Sequence, residues 1–433
     1  MVTLICGVIL SPGRRTVASA LRAVGLADDE TFGKYHRVLS RDRWSALHLS
    51  KFLLLLLLSE FIKDNQTVEI LVDETLERRR GKKLAYKAWF RDAVRSTQTT
   101  TVTTPGIRWL CLCLLVTVPW SKRRWALPFC TVPVCSRKNC LKRGRTWRGG
   151  VGLTVDLIIK VRQWLGQSRR IRLIGDGGFT NNDLMLHCIA QKVEQIGRLR
   201  LDAALYDDPP VQPKGKRGRK PSKGARQAAF KQRLADPNTE WNTVDIDWYG
   251  GERKTVEIAT GTALWHVSNN QPAKLRWVLV RPAGNSDSKK AAAFFSTDPQ
   301  TTPERIVECY AQRWNIEVFF EEVRACLGFE TQRGWCNKTI GRTTPCLFGV
   351  FSIVVVLAKR LFPQDLPVRQ TAWYTKDDAT FRDALSAVRE HLWRHNIMLD
   401  SKINKTGSRK TDDLCLIPRI VFEALQSVAC NAA

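Results

Sequence analysis

Two short apolar runs in the first half of the chain each lead into an aspartate. Residues 68–72 (Val-Glu-Ile-Leu-Val) precede Asp73, and residues 171–174 are followed by Gly175 and Asp176. Runs of this length, bounded by polar residues, are typical of buried strands. An acid at the end of such a strand is held by a rigid sheet and projects at its edge. We therefore predict two buried strands that end at Asp73 and Asp176.

Further strand and helix patterns surround these two runs. Residues 107–118 and 125–134 are strand-like, and the residues from Trp147 to Leu165 alternate at helical spacing. Three strands, a helix and a fourth strand predict an α/β layered fold.

The composition changes sharply after Asp207. Residues 214–233 contain nine Lys or Arg and no acid, with Gly and Pro interspersed, which predicts an exposed, mobile linker. Residues 240–297 carry alternating runs separated by turn residues, which predicts a small antiparallel β subdomain.

A long helix is predicted after this subdomain. Thr302 and Pro303 are favourable at a helix start, apolar residues continue to Leu327, and Gly328 ends the pattern.

These patterns divide the chain into five predicted segments. They are a helical N-terminal region with possible DNA contacts at 1–66, the first part of an α/β core at 67–206, the basic linker and β insertion at 207–300, the second part of the core at 301–363, and a helical basic region at 364–433.

The charge balance favours a polyanionic partner. The chain has 69 Lys and Arg against 41 Asp and Glu, a formal charge of +28. Nucleic acid is the first expectation and an anionic membrane the second. The longest apolar runs, 52–58 and 109–118, fall short of the roughly 20 residues that span a bilayer. The apolar stretch at 2–10 has no basic segment before it, so we predict no signal peptide.

The cysteines indicate the compartment. All thirteen are scattered, with no Cys-x-x-Cys pair, which predicts free thiols in a reducing cytosol and no structural metal site. Together with the charge, this predicts a cytoplasmic protein that binds nucleic acid and no membrane.

One face of the predicted helix carries an aligned polar row. Its members recur at helical spacing: Tyr310, Arg313, Glu317, Glu321 and Arg324. A different stripe of the same helix is apolar and faces the core. Helical geometry alone leaves two interpretations open, a solvated face with ion pairs four residues apart or a row of functional side chains.

The order and spacing of these residues resemble a known family. Tyr310-x2-Arg313-x3-Glu317, followed by Arg324 seven residues later, resembles the Tyr-x2-Arg-x3-Glu-x6-Lys signature of DDE transposases of bacterial insertion sequences. Arg324 stands where the family has Lys, which keeps the charge but alters any phosphate contact. The segments 71–75 and 175–179 resemble the family's two Asp segments, and the resemblance extends from roughly 39 to 359.

The resemblance implies a fold and a chemistry. It implies a ribonuclease H-like catalytic core interrupted by an antiparallel β insertion, with helical N- and C-terminal regions. Asp73, Asp176 and Glu317 would bind Mg²⁺ (or Mn²⁺) for two-metal phosphoryl transfer. Tyr310, Arg313 and Arg324 would hold DNA phosphates near the cut. The adjacent acids Glu74 and Glu321 are alternative ligands.

The same resemblance implies partners and a reaction. We expect cut-and-paste transposition, with strand cleavage at the terminal inverted repeats of double-stranded DNA and transfer to target DNA, by a homodimer in a synaptic complex. The alternative is a catalytically degenerate or domesticated DNA-binding protein. A structure-selective nuclease on the same core is a third hypothesis.

A second DNA contact is predicted in the basic linker. Lys216, Arg217, Arg219 and Lys220 resemble an AT-hook core, in which Arg-Gly-Arg enters an A·T minor groove. A nonspecific phosphate-binding linker is the other interpretation. The resemblance to the transposase family also implies an aromatic residue in the β insertion that stacks on a flipped base. Four tryptophans are candidates, and the sequence does not choose among them: Trp241, Trp248, Trp265 and Trp277.

Overall fold

A computed structural model describes most of the chain. It covers residues 1–403 apart from 82–83, 85, 93–94, 98, 143, 145, 212–220, 268–269, 285–289 and 374, and it describes side chains up to residue 394. The predicted AT-hook residues lie outside the described residues: Lys216, Arg217, Arg219 and Lys220. Residues 404–433 of the basic C-terminal region also lie outside them.

The described residues form twelve α-helices and eleven strands. The helices are Val2–Leu10 (α1), Val17–Ala23 (α2), Gly33–Ser40 (α3), Ala46–Phe61 (α4), Arg137–Leu141 (α5), Gly150–Leu165 (α6), Asn182–Ala190 (α7), Phe230–Ala235 (α8), Pro303–Ala311 (α9), Trp314–Leu327 (α10), Asn337–Leu361 (α11) and Phe381–Ile403 (α12). The strands are Val68–Arg78 (β1), Ala88–Arg91 (β2), Thr103–Thr117 (β3), Arg124–Val134 (β4), Ile171–Gly175 (β5), Val193–Leu199 (β6), Leu205–Tyr206 (β7), Asn242–Asp247 (β8), Arg253–Trp265 (β9), Ala273–Pro282 (β10) and Ala292–Ser296 (β11).

The strands form one mixed sheet. Its first half has the order β4-β3-β1-β5-β6, in which β1, β5 and β6 are parallel. Strand β3 is antiparallel to β1, to β4 and, at its start, to β2. The central strands are apolar on both faces because helices cover the sheet. This mixed α/β architecture confirms the fold class and agrees with the ribonuclease H-like core that the resemblance implied.

The β insertion extends the same sheet. Strand β11 pairs antiparallel with β6, and β10, β9 and β7 follow in order, with β8 on the edge of β9. Backbone hydrogen bonds therefore join the antiparallel β insertion to the core sheet. Residues 253–265 of the insertion form one continuous strand.

The described part of the predicted linker is folded. The backbone of Gln227 donates to Leu205, and Phe230 is buried with its ring 5.4 Å from that of Trp277. Residues 221–233 are therefore not a mobile linker. One aromatic side chain anchors this segment to the sheet despite its many cations, because burying a large ring is strongly favourable.

Helix α11 is apolar along most of its length. By length and composition it could cross a membrane, and it is the one such helix among the described residues. It packs against β4, α4 and α12, and most of its apolar window is buried within the protein. These contacts make α11 a core helix of the fold.

Candidate active site

Asp73 and Asp176 occupy neighbouring positions on two parallel strands. The last residues that pair between β1 and β5 are Val72 and Gly175. Asp73 and Asp176 are the next residue on each strand, and parallel neighbours lie about 4.8 Å apart. The prediction that Asp73 ends its strand is wrong, because β1 continues for five more residues alongside β3. Asp73 is placed at a sheet edge because its parallel neighbour β5 ends there.

The glycine-rich segment around Asp176 fixes its side chain. Asp176 caps a 3₁₀ turn at Gly177–Phe179, and its Oδ1 accepts a hydrogen bond of 2.9 Å from the backbone N–H of Gly178. A Cβ added at Gly175 would lie 2.9 Å from Cγ1 of Val72. Glycine therefore allows the two strands to stay close immediately before the two acids.

Arg313 connects the third acid to the first. The predicted long helix is divided at Gln312 and Arg313, so that Arg313 precedes α10 and Glu317 lies in its first turn. Arg313 Nη2 lies 2.7 Å from Glu317 Oε1, and Arg313 Nη1 lies 3.4 Å from Asp73 Oδ2. Three residues of the predicted site are thus brought together by one guanidinium group.

Tyr310 belongs to the same cluster. It lies near the end of α9, with its ring 4.6 Å from that of Phe294 and 5.9 Å from the Arg313 guanidinium. Burial raises the pKa of Tyr310, and the cations Arg313 and Arg198 oppose that shift. Arg198 was not among the predicted residues. It lies in β6 and pairs with Phe294 of β11, a long-range contact with no local sequence pattern.

Arg324 is held by protein groups. Its Nη2 donates to Thr75 Oγ1 at 2.6 Å and to the Leu76 carbonyl at 3.3 Å, and its Nη1 donates to the Phe320 carbonyl at 2.9 Å. Its Nε lies 3.5 Å from Glu330. Arg324 therefore joins α10 to β1, and its contact with a DNA phosphate stays a prediction.

The two alternative ligands, Glu74 and Glu321, lie in different surroundings. Glu74 follows Asp73 on β1 and so projects from the other side of the strand, where it pairs with Arg108 at 3.2 Å. A Cβ at Gly150 would collide with the Glu74 carboxylate, which places that group at the start of α6. Glu321 is exposed on α10.

The electrostatics of Asp73 reflect its neighbours. Burial raises the pKa of Asp73 to about 7, and the negative charges of Asp176 and Glu317 contribute, while a hydrogen bond from the Glu74 backbone and the charge of Arg313 oppose the shift. The three carboxylates therefore lie close together, and the single positive charge of Arg313 does not neutralise all of their negative charge. A cation bound there would favour the ionised form of Asp73.

The donor set fits a hard divalent cation. Asp73 and Asp176 offer carboxylate oxygens, the ligands that Mg²⁺ prefers, and both are held by backbone hydrogen bonds. In the part of the chain that the structure describes, no three acidic, His or Cys side chains converge closely enough to form a ready-made metal site. Arg313 pairs with both Asp73 and Glu317 in this cluster.

Two family models match the chain. Residues 1–272, more than half of the chain, match the model described as DDE superfamily endonuclease, and residues 251–360 match the one described as Archaeal putative transposase ISC1217. The first match includes Asp73 and Asp176, and the second includes Glu317. No curated protein matches the chain.

Proposed function

Because this chain belongs to the DDE superfamily of endonucleases and is a transposase-type nuclease, we propose that it cuts DNA at the terminal repeats of its own insertion sequence and joins those ends to target DNA. The observation that carries the proposal is the placement of Asp73 beside Asp176, with Glu317 linked to Asp73 through Arg313. These are the acids of three motifs that lie far apart in the sequence.

The three acids would hold the divalent cations that this superfamily uses. Asp73 and Asp176 would bind Mg²⁺ (or Mn²⁺), and Glu317 would complete the site. When bound, the ions would activate water or a 3′-hydroxyl and stabilise the leaving oxygen of the DNA phosphate. The protein's own contribution is rigidity, because two paired strands and a capped turn fix the carboxylates before DNA arrives.

The surrounding cations would position the DNA. Arg313 carries a buried Nε with no hydrogen-bond partner among the described residues, so a phosphate oxygen could satisfy it. The net charge of +28 favours attraction of double-stranded DNA, both terminal repeat and target. We also propose a homodimer in a synaptic complex, since two element ends must be joined, and action in the cytoplasm.

Cleavage of labelled DNA that carries the element's own ends tests this function. Wild type is compared with Asp73→Asn and Glu317→Gln, which keep the shape of each side chain and remove its charge. Glu252→Gln, an exposed acid of the β insertion, is the matched control. We expect Mg²⁺- or Mn²⁺-dependent nicking at the repeat ends in wild type and control, and none in the two site variants.

The opposite outcome is equally specific. If wild type binds the repeats but cleaves them in neither Mg²⁺ nor Mn²⁺, the proposed nuclease activity is rejected and the DNA-binding alternative is supported. Cleavage without preference for the repeat ends would support the structure-selective nuclease.

A further inference from the structure

A cleft of about 640 Å³ opens at Gly177, the residue that follows Asp176. Its walls come from the turn after β5, the end of β6, α8 and the end of β9. The lining includes Gly177, Thr180, Arg198, Arg200, Lys231 and Trp265. Because Gly177 follows Asp176, a chain lying across the two aspartates could continue into this cleft.

The cleft carries an excess of positive charge. Arg198 and Lys231 are exposed, and neither side chain has an ion-pair partner among the residues that the structure describes. Arg200 is neutralised by Asp202, to which it donates two hydrogen bonds of 2.8 Å. Two cations therefore remain available to an anionic ligand.

The position of Arg198 ties the cleft to the candidate active site. Arg198 pairs with Phe294 across the sheet, so the two side chains project from the same face. The Phe294 ring in turn contacts Tyr310, and Arg198 is close enough to influence the Tyr310 hydroxyl electrostatically. Arg198 therefore lies near Tyr310 and also contributes to the lining of the cleft.

The cations and the aromatic wall of the cleft indicate its ligand. A positively charged groove beside an aromatic side chain suits a single strand, whose phosphates contact the cations and whose unpaired bases stack on the ring. The half-buried Trp265 supplies that wall, and Asn182 donates a hydrogen bond of 3.2 Å to its carbonyl.

We infer that this cleft binds the sugar-phosphate backbone of the single DNA strand that continues from the cleaved bond, with Arg198 and Lys231 contacting its phosphates. The inference rests on the proposed function, because it assigns a path to the strand that is cut. It adds two phosphate contacts that belong to neither the acidic triad nor the Tyr-Arg-Glu row.

Binding of single-stranded DNA measures these contacts without cleavage. The probe is a short fluorescein-labelled oligothymidylate in EDTA, followed by anisotropy over a range of salt concentrations. Wild type is compared with the double variant Arg198→Gln/Lys231→Gln. The control is Lys160→Gln/Arg170→Gln, which removes two exposed cations from α6 and from the opposite end of β5.

We expect the cleft variant to bind single-stranded DNA roughly tenfold more weakly than wild type at low salt. The loss should be similar for oligothymidylate and for an oligonucleotide of mixed sequence. The slope of log affinity against log salt should fall by about 0.7 per lost phosphate contact. The control variant should keep the wild-type slope. Affinity for a blunt duplex should fall much less than affinity for the single strand.

Three results would overturn the assignment: an unchanged salt slope in the cleft variant, an equal loss in the control, or a loss confined to the duplex. Failure of the proposed function is a separate result, because it appears as absent cleavage by wild type in Mg²⁺ or Mn²⁺. If wild type cleaves DNA but the cleft variant binds the single strand as wild type does, only the assignment of the cleft is rejected and the proposed function stands.

Discussion

Arg313 and Asp73 are 240 residues apart in the sequence and form an ion pair of 3.4 Å, while the same guanidinium lies 2.7 Å from Glu317. The cation therefore lies where a metal ion would be attracted, and the two positive charges would repel each other at close range. Binding of a metal ion at the proposed site would require this ion pair to rearrange.

Removal of the Arg313 charge should strengthen metal binding. We expect Arg313→Gln to bind Mn²⁺ about tenfold more tightly than wild type, because the competing cation is gone, a change of about 1.4 kcal/mol. Isothermal titration of the DNA-free protein measures this, and Arg313→Lys is the control that keeps the charge. Weaker Mn²⁺ binding by Arg313→Gln would mean that Arg313 positions the carboxylates instead of competing for them.

A buried acid at the opposite end of β1 should govern acid stability. Glu69 is almost fully buried and pairs with Arg124, with Arg172 at 2.6 Å and with Arg305 at 2.8 Å. Burial alone would raise the pKa of Glu69, but the three guanidinium groups outweigh it and lower the pKa to about 2. A carboxyl whose pKa is depressed in the folded state stabilises the fold above its unfolded pKa.

The sign of the pH effect follows from this shift. The Glu69 contribution, about 3 kcal/mol, should be complete above the ordinary pKa of 4.5 and lost as the pH falls from there to about 2. Urea unfolding should therefore find Glu69→Gln about 3 kcal/mol less stable than wild type at pH 7, with the difference shrinking below pH 4.5. Glu252→Gln, at an exposed site, should change little. A difference independent of pH would contradict the assignment.

Local patterns predicted much of the core. Buried strands at 68–72 and 171–174 were foreseen because continuous apolar runs indicate strands covered on both faces. The start of α9 was also foreseen, since the Thr302 side chain accepts from the Arg305 backbone and Pro303 begins the helix. Each of these features depends on residues close together in the sequence.

Long-range pairing could not be predicted in the same way. The register of β11 on β6 joins residues about a hundred positions apart and has no local pattern. The break before α10 has no Pro or Gly at Gln312 or Arg313, so the helical spacing continued uninterrupted. The resemblance named Asp73, Asp176 and Glu317, whereas the ion pair between Arg313 and Asp73 depends on how the two halves of the core pack.

Arg324 should stabilise the protein independently of DNA. Its guanidinium donates to Thr75, Leu76 and Phe320, and a lysine cannot reproduce that fork. We expect Arg324→Ala to lower the free energy of unfolding by about 2–3 kcal/mol and Arg324→Lys by somewhat less, measured by urea unfolding without DNA. Exposed Arg22→Ala is the control. Unchanged stability with weaker DNA binding would instead assign Arg324 to the phosphate backbone alone.

Gly175 should matter more for cleavage than for stability. A Cβ there would lie 2.9 Å from Val72 Cγ1 and 3.0 Å from Phe179 Cβ, so Gly175→Ala must push the end of β5 away from β1. The residue that moves with this strand end is Asp176. Overpacking of this kind costs about 1–3 kcal/mol, which leaves the protein folded at room temperature.

The small displacement should nevertheless separate the two aspartates. Misplacement of a reacting group by about 1 Å can cost about a hundredfold in rate, so we expect nicking by Gly175→Ala to fall by one to two orders of magnitude. Gly341→Ala is the matched control, because a Cβ in that part of α11 meets nothing within 4 Å. Both variants are compared by thermal unfolding and by initial nicking rate. Full activity of a folded Gly175→Ala protein would show that the spacing of β1 and β5 does not set the geometry of the site.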